Sequence, residues 1–187
     1  MARLLLIVIT FMLSPAYADN HQKELAGKSK AAVKEFMGQL KGELQTSMKS
    51  GGPIKTVEVC KEKAPVIAKN LSEKYGWKIA RTSLKTRNSN NAPDAWESKV
   101  LHDFEKRKQN GEKVKPMAYF ETVNENGVKS FRFMKAIPTG KACLSCHGDN
   151  IEPALAAKLD SSYPDDKARG FKLGDIRGAF TITQPIN

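Results

Sequence analysis

From Gln22 to Met48 the apolar residues Leu25, Val33, Phe36, Met37, Leu40, Leu44 and Met48 recur at three- and four-residue steps. That spacing predicts one long amphipathic helix, which needs an apolar surface to lie against. Ser50-Gly51-Gly52-Pro53 ends it, with glycine and proline as stop signals. A second helical stripe runs through Ile54, Val57, Ala64, Ile67, Leu71 and Tyr75, with Gly76 as its stop, and Pro65 is expected to kink or split it. Cys60 falls on this stripe, three residues after Val57 and four before Ala64, so its thiol is expected to point inward.

Beyond Gly76 the pattern shifts toward strands. Trp77 to Leu84 has strand-like composition, and a polar loop follows at Arg87 to Asn91. Pro93 then opens a helix carrying Trp96, Val100, Leu101 and Phe104, which stops at Asn110-Gly111. Met117 to Val123 and Val128 to Ile137 read as two strands joined by the hairpin signal Asn124-Glu125-Asn126-Gly127. A short helix around Pro153 to Leu159, a polar loop from Ser161 to Asp166 and a strand from Gly178 to Gln184 complete the chain. This order predicts an α+β fold, an antiparallel sheet with the N-terminal helices packed on it.

Met-Ala-Arg, an apolar run from Leu4 to Leu13 and Ala16-Tyr17-Ala18 before Asp19 together have the form of a secretory signal peptide. The expected organisation is a leader over residues 1–18 and one domain over 19–187, exported to the periplasm or an equivalent space. No later stretch is apolar enough to span a membrane, so no stable insertion is expected after cleavage. The formal net charge is +11, and lysines supply most of it along nearly the whole length. A solvated basic surface attracts acidic partners. Nucleic acid is not expected, since no interleaving of aromatic and basic residues points to it.

Residues 141–149, KACLSCHGD, hold two of the three cysteines and one of the three histidines. Two thiols three positions apart can each add across a vinyl group of a haem, and the histidine next to them can place an imidazole nitrogen on the iron. Shuffling this composition would produce the pattern in about one chain in two thousand. A zinc site would need adjacent Cys146 and His147 on one ion. A redox Cys-x-x-Cys would come after a strand in a βαβ setting, which is missing here. A disulfide between Cys143 and Cys146 leaves His147 without a role. One covalently bound haem c is therefore the expected cofactor, with His147 as one axial ligand.

The other axial position has several candidates. Met37 and Met48 on the first helix, Met117 and Met134 on the hairpin strands, and the histidines His21 and His102 can each be read as core or surface residues. Cys60 is inward-facing and has no disulfide partner once Cys143 and Cys146 carry haem. Its alternative is a small buried core residue. Lys85 and Arg87 are basic and could meet a haem propionate, but ordinary surface charge explains each.

Five stretches in order, Cys60, RTSLKTRN (81–88), NAPDAWE (91–97), CLSCHG (143–148) and GDIRGAF (174–180), resemble the PAS-like single-haem c-type domain family. Such domains occur as extracytoplasmic sensory regions of bacterial signalling proteins and as stand-alone small cytochromes. Ser89 departs from that pattern, which usually has proline after the Arg-Asn pair. The resemblance implies a PAS-like antiparallel sheet flanked by helices, with the iron held by His147 and Cys60. A thiolate ligand favours ferric iron, so a low reduction potential is expected. Loss of the thiolate on reduction would open a place for a small gaseous ligand. The expected function is redox or gas sensing through a protein partner, with a soluble low-potential electron carrier as the alternative; no enzyme activity is expected.

Overall fold

The computed structural model describes residues 15–125 and 127–186, so the first fourteen residues of the expected leader lie outside the described residues. Helix α1, Pro15–Glu58, is broken at Gly52 (φ 68°, ψ −165°) and resumes with Pro53 in the next turn. The expected stop at Gly51-Gly52-Pro53 is thus a kink between two helical runs. Gly52 supplies a backbone region closed to most residues, and Pro53 is tolerated where a helical N–H has no partner.

A π-helical turn, Val59–Lys63, then leads into α2, Ala64–Tyr75. Pro65 has no N–H to offer the ladder, and the Ala64 N–H reaches back five residues to the Val59 carbonyl. One extra residue in a turn rotates the succeeding helix by about 100°. The single stripe expected across Val57, Cys60 and Ala64 is therefore two faces. Val57 packs with Leu155, Leu159 and Tyr163, whereas Ala64, Ile67 and Leu71 pack with Phe36 and the sheet. Gly76 ends α2 in the left-handed conformation (φ 69°, ψ 24°), as expected of a C-terminal glycine.

Four strands, β1 (Lys78–Thr82), β2 (Ala118–Glu125), β3 (Val128–Pro138) and β4 (Ile176–Pro185), form one antiparallel sheet in the order β1-β4-β3-β2. The β2–β3 hairpin closes with Glu125 opposite Val128, and Gly127 takes φ 85° at the turn. Side chains alternate across the sheet as the pleat requires. Phe131 and Phe133 of β3, with Phe180 and Ile182 of β4, meet α1 and α2. Met134, Ala136 and Ala179 face the other way and meet Val100, Leu101 and Phe104 of α3, Ala95–Gln109. Helices therefore cover both faces: the N-terminal pair lies on one, as expected, and α3 closes the other.

The NAPDAWE segment starts α3. Asp94 accepts from the Glu97 amide and Glu97 accepts from the Asp94 amide, a reciprocal cap. The same two carboxylates hold the buried Arg132 of β3, at 2.6 Å and 3.4 Å, and Thr181 donates to Glu97 at 2.8 Å. The Trp96 ring lies 4.3 Å from the Arg132 guanidinium carbon. This part of the family pattern fastens α3 to the sheet.

Candidate functional site

At one end of the sheet the kinked α1–α2 pair, the ends of β1 and β4, and the 141–171 segment converge. A 3-10 turn, Lys141–Cys143, runs directly into one turn of helix, α4, Leu144–His147. Gly148 comes next in extended backbone, where a Cβ would sit 2.7 Å from the Leu144 carbonyl oxygen. Gly170 and Phe171 then pair along it, donating to the carbonyls of Gly148 (3.1 Å) and His147 (2.9 Å). The helix α5, Pro153–Ser162, packs Leu155 and Leu159 against Val57 and Tyr163, with Cys146 at the edge of that cluster.

His147 is half-buried, and its Nδ1 lies 2.8 Å from the Ala168 carbonyl oxygen. A carbonyl can only accept, so Nδ1 carries the proton and Nε2 keeps its lone pair. Burial, then the nearby Arg177 and Arg87, push the imidazole pKa down to about 3, against weaker opposing effects of Ala168 and Asp166. The ring is neutral, with one nitrogen tied down and the other available as a donor to a metal.

Cys60, Cys143 and Cys146 are all free thiols, so the disulfide reading of Cys143 and Cys146 is not realised. Cys143 Sγ accepts from the Gly140 amide at 3.3 Å. Burial raises the Cys146 thiol pKa; Arg87 opposes the rise, and Cys60 and Cys143 add to it through their proximity. Cys60, 87 positions before His147 in sequence, lies near enough to Cys146 for its charge to act on that thiol. Its own pKa is raised by burial and drawn down by Arg81, Arg87 and Arg177. Among the described residues no group of three or more His, Cys, Asp or Glu gathers for a metal ion, so the zinc alternative has no ligand set there.

The other candidates for the second ligand lie elsewhere. Met37 and Met48 are exposed, at 51% and 39%. Met117 and Met134 are buried on the α3 face of the sheet. His21 is exposed, and His102 is an exposed residue of α3 whose Nδ1 lies 2.7 Å from the Ser98 carbonyl. Of the sequence candidates for the second ligand, Cys60 is the one whose charge acts on a motif residue, Cys146.

Arg87 is not ordinary surface charge. Its side chain is 8% exposed and pairs with Asp166, 2% exposed, at 3.1 Å. It also donates to the carbonyls of Cys146 (2.5 Å) and Ala168 (3.2 Å). One guanidinium therefore bridges the motif, the carboxylate and the carbonyl that orients His147, a positioning role of the second layer. Asp166 is held below the usual carboxylate range: burial works the other way, but bonds from Arg87, the Ala168 amide and Arg169 outweigh it. The expected polar loop at Ser161 to Asp166 is in part an inward-facing wall, since Tyr163 is 6% exposed. The Tyr163 phenol is pushed up to about 12 by burial, with Cys60 contributing.

Arg177 owes its place to a bulge. β3 and β4 pair Ile137 with Gly178 but Pro138 with Ile176, so Arg177 is an extra residue in β4. A bulge re-aims side chains. Gly178 permits it at φ 153°, with a Cβ position only 2.4 Å from the Thr82 carbonyl oxygen. Arg81, Arg177 and Tyr163 were not candidates from sequence; the first two lie in the RTSLKTRN and GDIRGAF stretches, and nothing local marks Tyr163.

The imidazole nitrogen left free on His147 and the unpaired thiols of Cys143, Cys146 and Cys60 are donors of the kind that haem and its iron take. Arg177 Nε is a buried donor without a partner, which an anionic group would satisfy. Two clefts, of about 360 and 300 Å³, flank Phe171; the first is lined by Leu144 and Gly148 on either side of the motif's end, the second by Ser83, Lys85 and Gly178.

Comparison with known proteins yields one solved structure of note, titled a crystal structure of the cyanobacterial heme-protein Tll0287. It is 28% identical, with a TM-score of 0.67, and the match covers 88% of this chain and 96% of that one. No curated protein sequence matches. The sequence profile of the Tll0287-like family matches residues 14–185, which include all four candidate residues and the sheet that gathers them; the chain belongs to the Tll0287-like family.

Proposed function

We propose that this chain is an exported monohaem c-type protein that senses redox state or a small gas, and is not an enzyme. In this reading Cys143 and Cys146 would hold the haem through thioethers, and His147, through Nε2, and Cys60 would hold its iron. The observation that carries it is the Nδ1 contact of His147 with Ala168 at 2.8 Å, which leaves Nε2 free to bind a metal immediately after the two motif thiols. Membership of a family with a solved haem protein supports it.

When bound, haem would supply a one-electron couple and an iron centre able to take a small ligand. The chain's own contribution is asymmetric. His147 is tied through Ala168 to the Arg87 and Asp166 pair, whereas Cys60 sits on a π-helical turn between two helices. A fixed ligand opposite a yielding one suits a sensor, and the PAS-like character expected of the sheet agrees with that use. A thiolate at Cys60 implies a low reduction potential. The apolar run at Leu4 to Leu13 supports export, and among the described residues no helix is long and apolar enough to cross a membrane. The signal would pass to a separate redox or signalling protein.

The test is the Cys60→Ala variant, examined by absorption and EPR spectroscopy beside the parent protein. An unchanged low-spin ferric spectrum would remove Cys60 from the iron. Replacing Cys143 and Cys146 together should abolish pyridine-resistant haem attachment; its persistence would overturn the c-type reading. A second reading, a soluble electron carrier, is favoured by the exposed Lys85, Lys141, Lys167 and Lys172 around the motif, which suit an acidic redox partner. Reduction under carbon monoxide separates the two. A carrier keeps both ligands and its spectrum; a sensor exchanges one.

A further inference from the structure

Arg81, Arg87 and Arg177 each act electrostatically on Cys60, and they are not equivalent. Arg87 is committed to Asp166, and Arg169 pairs with Asp166 and Asp160. Arg81 and Arg177 take part in no ion pair among the described residues. Both lie where a cation is costly, since burial draws the pKa of each guanidinium below its usual value. A largely desolvated guanidinium without an anion is an unfavourable arrangement that an incoming carboxylate relieves.

Their placement is specific. Arg81 stands opposite Phe180 in the β1–β4 register, so it shares the α1 face of the sheet, and its guanidinium carbon is 5.7 Å from the Phe36 ring centroid. Arg177 is delivered by the β4 bulge and rests 5.2 Å from the Phe171 ring. Its Nη1 donates to Ser83 Oγ (3.3 Å) and the Lys85 carbonyl (3.4 Å), while Nε is buried without a partner. Arg81 and Arg177 each act on Cys60, and Arg177 also acts on His147. Arg177 shares the Phe171 ring with His147, whose own ring lies 6.2 Å from it, and Arg81 stands on the neighbouring strand, opposite Phe180. Lys85, the other basic residue of that stretch, is engaged elsewhere: its Nζ donates to the Arg169 carbonyl and lies 4.6 Å from the Phe171 ring.

We propose that Arg81 and Arg177 form a paired carboxylate site that receives the two propionates of the haem carried by Cys143, Cys146 and His147. This rests on the haem reading above. Charge balance favours it. A ferric porphyrin core carries one net positive charge, which a Cys60 thiolate cancels. The two propionates remain, and two guanidiniums without acids of their own match them in number. Guanidinium is the side chain suited to this task because its planar fork can meet a carboxylate through two parallel bonds.

The test uses the haem-loaded protein. A crystal structure of the loaded parent should show guanidinium nitrogens of Arg81 and Arg177 within hydrogen-bond distance of propionate oxygens. Arg81→Gln and Arg177→Gln should each shift the propionate vibrations in the resonance Raman spectrum and move the reduction potential negative. Each should also make the potential depend on pH near neutrality, as an unneutralised propionate takes up a proton; the Arg→Lys variants should restore part of this. Lys69→Gln, at an exposed position of α2, serves as the charge control and should behave as the parent. Propionates that point into solvent or onto other side chains in the loaded parent refute the proposal, as do glutamine variants with parental vibrations and a pH-independent potential. Should the glutamine variants not fold, the parent structure alone decides. Absence of pyridine-resistant haem in the parent instead defeats the haem reading itself, so the two failures are distinguishable.

Discussion

Replacing Arg87 with leucine removes the side chain that holds three parts of the site together. The change strips Asp166, whose side chain is 2% exposed, of its principal counter-charge, while two acceptors remain without that donor, the carbonyls of Cys146 and Ala168. Breaking a buried ion pair from one side costs about 3–5 kcal/mol. Asp166 keeps its bonds from the Ala168 amide and Arg169, both at 2.9 Å, and the Ala168 carbonyl keeps His147, so the lower end, about 3 kcal/mol, is expected. For a chain of this size that is a fall in Tm of roughly 6–12 °C. Thermal unfolding monitored by far-ultraviolet circular dichroism measures it, beside Asp166→Asn and the double variant. Because the two residues act as one unit, the double variant should lose clearly less than the sum of the single losses. A leucine variant that melts within about 2 °C of the parent, or single losses that simply add, would refute the bridging role.

The sheet and the acid side of the pH range offer further tests. Gly178→Ala places a Cβ 2.4 Å from the Thr82 carbonyl at φ 153°, and a loss of roughly 1–3 kcal/mol is expected; parental stability in denaturant would show that the bulge relaxes freely. Glu97→Ala leaves the buried Arg132 with Asp94 and removes the acceptor of Thr181, so urea unfolding should show a loss of about 2–4 kcal/mol. A loss below about 1 kcal/mol would place the Arg132 charge mainly on Asp94. The depressed pKa of Asp166 gives stability that is present above its unfolded value, near 4, and lost as pH falls through the folded one. The Tm of the parent should therefore drop more steeply than that of Asp166→Asn below about pH 4, and parallel curves would contradict the assignment.

How far the sequence could be read depends on how local each signal is. The α1 break at Gly52, the C-terminal stop at Gly76 and the Glu125 to Val128 hairpin are each encoded within a few residues, and each lies where its turn chemistry places it. The motif of Cys143, Cys146 and His147 is equally local, contained in five residues. The π-helical turn was foreshadowed by Pro65, but its rotation of α2 against Val57 depends on what each side packs upon. Helical periodicity therefore counted two faces as one stripe. The two-sided covering of the sheet was hidden in the alternation of β3, where Phe131 and Phe133 go to one layer and Met134 and Ala136 to the other. Arg87 looked like surface charge because its acid is 79 positions away. Arg177 was unmarked because a bulge is a property of a pair of strands, and no single segment reveals it.

The π-helical turn at Val59–Lys63 also bears on how such a chain can change over time. It amounts to one residue more than a regular helix would carry, so loss of one codon anywhere within it would return the segment to ordinary winding. The two ends would then be turned about 100° relative to each other. Either Ala64, Ile67 and Leu71 keep their seat on the sheet and Cys60 swings out of the site, or the reverse. The first outcome would also turn Val57 away from Leu155, Leu159 and Tyr163, and the second would lift α2 off the sheet. The number of residues in this one turn, as much as the identity of any of them, thus lets the two packings and the inward Cys60 exist together.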